Sequence, residues 1–117
     1  MRNQPLVAVF FRVPLLVEAL RQALAGVGEV RAFPSPSSEP LQLLEAFMPD
    51  AVIVDGERDA EAALAFAGES RVPVLYLPWG ESQLYAAREG EWVAVPGGPA
   101  PEAIRNALVE AFVERVS

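Results

Sequence analysis

Between Pro49 and Glu57 the chain reads PDAVIVDGE, and Asp55 is the residue whose setting first suggests chemistry. Ala51-Val52-Ile53-Val54 is short, apolar and rich in β-branched residues, the composition of a strand covered on both faces. Asp55-Gly56 then closes the run like a turn. A carboxylate at the carboxyl end of such a strand stands where open α/β sheets bind ligands, which makes Asp55 the candidate reactive carboxylate. The competing reading is structural: Asp55-Gly56 ends a strand and caps a turn.

Residues that would assist a reactive carboxylate are missing. The 117 residues include no His, Lys, Thr or Cys. General acid–base catalysis, Schiff-base chemistry, imidazole and thiolate metal sites and P-loop phosphate binding each lose their usual residue. Of sixteen acids thirteen are Glu, mostly spread over helical segments as a solvated face would be. The chain is therefore expected to be no enzyme and to hold no metal or cofactor. All basic residues are Arg, scattered singly, and a net charge of −7 repels a phosphate backbone, so no nucleic-acid binding by this domain is expected. The apolar fraction is 52%, yet no run approaches the ~18 residues of a membrane span. LVAVFF is interrupted by Arg12 and Pro14 with no cleavage pattern behind it. No membrane association and a cytoplasmic location are the expectations.

Five strand-like runs alternate with helix-period segments over one domain, residues 1–117. The strands are expected at 6–11, 28–33, 51–54, 72–77 and 91–95. The helices are expected at 14–27, 41–48, 59–70 (its end marked by Gly68), 81–89 and 101–116, the last with Pro101 in its first turn. Five βα units in this length imply an α/β fold: a parallel five-stranded sheet with right-handed crossovers and helices on both faces, a three-layer sandwich. The flavodoxin-like (βα)5 strand order 2-1-3-4-5 is the natural expectation. PSPSSEP and PGGPAP are too short to separate domains and read as loops. Gly97-Gly98 lacks the spacing of a phosphate-cradling loop and reads as a tight turn.

Taken in order, these segments resemble the receiver domain of bacterial response regulators over essentially the whole chain. Pro49-Asp50, four apolar residues and Asp55 are similar to the family's run into its phosphoacceptor aspartate. RVPLLVEALRQAL resembles the first helix, Val95-Pro96 stands at the Lys-Pro position, Pro101-Glu102 resembles the start of the last helix, and Trp92 falls at the switch aromatic. The resemblance also implies what has been lost. Receiver chemistry needs Mg²⁺ held by carboxylates to neutralise the phosphoryl group. The acid-pair positions read Phe11 and Arg12, the hydroxyl position Pro78, and the lysine position Val95. Asp55 alone survives, as a relic. The expected function is that of a pseudo-receiver in two-component signal transduction, a non-catalytic protein-interaction or dimerisation module. The alternatives are a phosphorylatable receiver with Asp55 as phosphoacceptor, and a small-molecule-binding flavodoxin-like domain using Arg12, Asp55, Glu57 and Arg58.

Two further expectations concern side chains. The Arg12 guanidinium either replaces the missing cation beside Asp55 or points into solvent. The partner surface, for a protein or a second copy, is expected on the face of the fourth helix, fifth strand and fifth helix (α4-β5-α5 in receiver terms). Tyr85, Trp92, Val109, Val113 and Val116 would supply its apolar area, with Trp79 nearby and Arg88, Arg105, Glu110 and Arg115 as a polar rim. Ile104, Leu108, Ala111 and Phe112 are expected to pack the last helix on the sheet.

Overall fold

The first strand, β1 (Leu6–Phe11), is the run LVAVFF, and its first five residues are buried because helices cover both of its faces. The structure, a computed structural model, describes residues 4–35, 39–78 and 81–116, with side chains as far as Val113. After β1 come α1 (Pro14–Ala23), β2 (Glu29–Pro34), α2 (Pro40–Phe47), β3 (Ala51–Val54), α3 (Glu57–Ser70) and β4 (Val74–Tyr76). Strands β5 (Tyr85–Arg88) and β6 (Glu91–Ala94) and the helix α4 (Pro101–Val116) complete the order. One sheet contains all six strands in the order β2-β1-β3-β4-β5-β6.

The first four strands run parallel, with Val7 opposite Val30 on one side and Ala51 on the other. Alternation along them divides the core. Val7, Val9, Ile53 and Leu75 pack with Val17, Leu20, Ile104 and Leu108 of α1 and α4. Ala8, Phe10, Val52, Val54 and Val74 pack with Leu44, Ala60, Ala63 and Phe66 of α2 and α3. Arg105 of α4 donates to the carbonyls of Ala23 and Ala25 at 2.9 and 3.0 Å, placing a cation at the carboxyl end of α1. It holds the two helices together from the surface. α3 runs through Gly68 and stops at Ser70, where Arg71 adopts a left-handed φ of 61°.

The fold departs from the expected five-stranded parallel sheet after β4. Residues 85–88 are a strand, not part of a helix, and they pair antiparallel with β4 and with β6. Leu84 and Ala86 are buried towards α1 and α4, while Tyr85 and Ala87 turn to the other face, a period of two. A helix was expected over 81–89, but burial on the sheet outweighs the weak helix propensity of these residues. The Glu89-Gly90 connection has positive φ at both residues, 50° and 83°, as a two-residue type I′ hairpin turn requires. No atom lies within 4 Å of where a Cβ on Gly90 would stand, so its cost is conformational alone. Gly90→Ala is therefore expected to lower stability by about 1 kcal/mol in urea unfolding. An unchanged midpoint would contradict the left-handed turn.

Candidate functional site

Parallel strands end together, and here β1, β2 and β3 deliver Arg12, Ser35 and Asp55 to one edge. The ladder extends past the strands: the Ser35 amide donates to Phe11 O at 2.8 Å and the Asp55 amide to Phe10 O at 3.2 Å. Asp55 is 3% exposed. Its carboxylate accepts the Arg12 amide on both oxygens, at 2.9 Å (Oδ1) and 2.8 Å (Oδ2). Burial pushes its pKa above the ordinary carboxylate value. The Arg12 and Val13 amides and the Arg12 charge pull the other way without overcoming that desolvation. Asp50, the other acid of PDAVIVDGE, lies at the opposite sheet edge, where its Oδ2 accepts the Leu6 amide at 2.8 Å.

Arg12 thus meets Asp55 through its backbone. Among the described residues no ion pair joins the Arg12 guanidinium to Asp55. The side chain instead passes over Gly56, where a Cβ would stand 3.2 Å from Arg12 Cδ and 2.8 Å from Ser35 Oγ. Glycine is needed there for that close approach, since its φ of −110° is open to any residue. Ser35 Oγ donates a hydrogen bond to Asp59 Oδ2, tying the end of β2 to the first turn of α3. Asp59 is 1% exposed. Sequence reasoning singled out neither Asp59 nor Ser35. Position was the available signal: Asp59 is the third residue of a helix that starts at a sheet edge, where an acid complements the helix N-terminus.

The remaining expected positions separate. Pro78 lies beside Asp55 in a groove lined also by Val13, Leu15, Leu16, Ala19, Leu77, Glu81 and Pro99. Phe11 packs on the α1–α4 side of the core. Val95 follows β6, three strands from β3, and its amide donates to Leu84 O at 2.7 Å. It lines a second groove between the hairpin and α4, away from Asp55. Among the described residues no group of three or more Asp or Glu stands close enough to hold a metal ion.

The expected α4-β5-α5 partner face is not one surface here, because its first helix is a strand. Trp92 and Tyr85 cluster around Tyr76 with ring centroids 5.2 and 6.3 Å away, on the side of the sheet that carries α2 and α3. Val109 and Val113 are exposed on α4, across the sheet. Ile104 and Leu108 are buried as expected, with Phe112 packed partly against them. Trp79, and the side chains of Arg115 and Val116, lie outside the described residues.

The architecture defines the chain as an α/β protein with a mixed six-stranded sheet. No helix among the described residues is long and apolar enough to cross a membrane. Compared with protein-family models, curated proteins and solved structures, the chain matches none of them.

Proposed function

We propose that this chain is a receiver-like regulatory module that works by binding a protein partner, with no phosphotransfer at Asp55. The observation that carries this reading is the use made of the Asp55 carboxylate. Both oxygens accept the Arg12 amide, so the carboxyl group organises the β1–α1 connection. A phosphoacceptor needs an oxygen open to attack and cations around it. Asp55 is buried, and the groove beside it is lined by prolines, apolar side chains and the acid Glu81, with no cation. The test is a titration with Mg²⁺, with and without beryllofluoride or acetyl phosphate, followed by Trp92 fluorescence and by amide shifts around Asp55. No saturable response is expected. Saturation at millimolar metal, or a phosphorylated Asp55, favours the phosphorylatable receiver instead.

One observation favours a second reading, a small-molecule binder at the sheet edge. The groove beside Asp55 has a volume of about 380 Å³, within the size of ligand pockets. Its walls are apolar apart from the acids Asp55 and Glu81, which suits a small organic cation. A primary amine with a short apolar tail would then shift the Val13 and Leu16 amides saturably.

A further inference from the structure

We infer that Tyr76, Tyr85 and Trp92 form a docking platform for an arginine side chain presented by another protein. This gives the chemistry of the partner of the interaction module proposed above and rests on that reading.

The aromatic residues of the chain are sorted by type. Phe10, Phe33, Phe47 and Phe66 belong to the core under α2 and α3, and Phe11 and Phe112 pack on the other side of the sheet. Both tyrosines and one of the two tryptophans gather instead on β4, β5 and β6. Tyrosine and tryptophan carry a polar group that phenylalanine lacks, which suits them to binding surfaces. All three are partly exposed.

The hairpin brings the rings together. Tyr76 stands opposite Tyr85, and Trp92 opposite Ala87, on the side of the sheet that carries α2 and α3. Trp92 and Tyr76 sit two strands apart, roughly 9–10 Å across the sheet. Their ring centroids are nevertheless 5.2 Å apart, so the two rings meet above β5. Tyr85 adds a third ring, 6.3 Å from Tyr76. The neighbours Ala87 and Ala94 are too small to cover them, and Ala94, opposite Tyr85, is itself exposed. α3 packs on β3 and β4, which leaves the cluster at the open margin of that helix layer.

Charge selects the ligand. Burial raises the pKa of the Tyr76 hydroxyl, and the charges of Glu57 and Glu81 raise it further. Tyr85 adds to this, while Arg12 acts in the opposite sense and by less than either acid. Glu57 and Glu81 are both exposed. Aromatic faces attract cations, and two carboxylates beside them strengthen that preference. A guanidinium fits best, being planar, able to stack on a ring and able to fork to a carboxylate. The face is open, whereas a free small molecule needs a pocket that encloses it, so the guanidinium arrives on a larger partner. A net charge of −7 sets two copies of this chain against each other and favours a basic protein.

The test is an NMR titration with a tetra-arginine peptide, set against tetra-citrulline, tetra-lysine and methylguanidine. Tetra-arginine is expected to shift the Trp92 indole N–H and the Tyr76 and Tyr85 ring signals saturably, and tetra-citrulline to shift none of them. Tetra-lysine should bind roughly threefold more weakly or worse, since an ammonium neither stacks nor forks. Trp92→Phe and Glu57→Gln should each raise the dissociation constant of tetra-arginine roughly two- to fivefold, with unchanged far-UV circular dichroism. If Trp92→Phe misfolds, Tyr85→Leu and Glu57→Gln decide. Equal binding of tetra-lysine and tetra-arginine would mean adhesion by net charge alone and overturns the proposal. Shifts at Val13 and Leu16 in place of the rings also overturn it, because they mark the groove beside Asp55. Methylguanidine binding as tightly as the peptide overturns the partner, making this a small-molecule site. None of these results bears on the phosphoryl titration, which tests the module reading separately.

Discussion

Asp55→Ala is expected to destabilise the fold by about 2–4 kcal/mol, because it leaves the Arg12 amide without its acceptor at a buried strand end. Asp55→Asn keeps one oxygen and should cost less. The pH dependence distinguishes a buried carboxylate from a generic strand-end polar group. Burial raises the folded-state pKa above the ordinary 3.8. Between that value and the folded pKa, the folded chain holds a proton that the unfolded chain has released. The stability Asp55 contributes is thus fully present below 3.8 and is lost as pH rises through the folded value. The cost of Asp55→Asn should shrink in the same direction. Urea unfolding of the wild type and both variants from about pH 4 to pH 8 measures this. An Asp55→Ala protein within about 0.5 kcal/mol of wild type would mean that the loop amide finds another acceptor and that Asp55 is not what organises this edge.

Leu108→Ala is expected to cost about 2–5 kcal/mol, the range for emptying a buried leucine site. Leu108 is fully buried with Val7, Val9 and Leu20, and it seats α4 on the sheet. Val113 lies on the same helix, one full turn and a residue further on, and is 62% exposed. Val113→Ala should change stability by no more than about 0.5 kcal/mol. Equal losses at the two positions would mean that α4 packs on the sheet through a different stripe.

The parallel half of the sheet was legible because its residues are uniform. LVAVFF and AVIV carry no polar side chain and admit one reading. The hairpin was not, because LYAAR satisfies two patterns: its alanines favour a helix, while Leu84 and Ala86 alternate with Tyr85 and Ala87 as a strand. The Glu89-Gly90 pair did not decide between them, since a hairpin turn and a helix end explain it equally well. Within the site, Asp55 was found from its place at a strand end. Its partner Arg12 was named too, but for its guanidinium; the contact runs through the Arg12 amide, and a residue that supplies a backbone amide carries no mark of it in the sequence. The apolar residues chosen for one partner face were each read correctly as apolar. Their division between two faces of the sheet follows from the hairpin, which reverses the chain where a crossover helix was expected.

That reversal also sets when each part of the sheet can close during synthesis. β1 is the first strand to emerge, yet its pairing of Val7 with Ala51 must wait until β3 has left the ribosome. Until then only β2 is available to it, and LVAVFF keeps one backbone edge unpaired. The hairpin waits for nothing distant, because Tyr85 finds Ala94 across a turn of two residues. Its place on the sheet, however, is already built when it appears, since β4 precedes it in the chain. The strands that begin the chain therefore bear the long exposure, and the strands that complete the sheet add onto a finished edge.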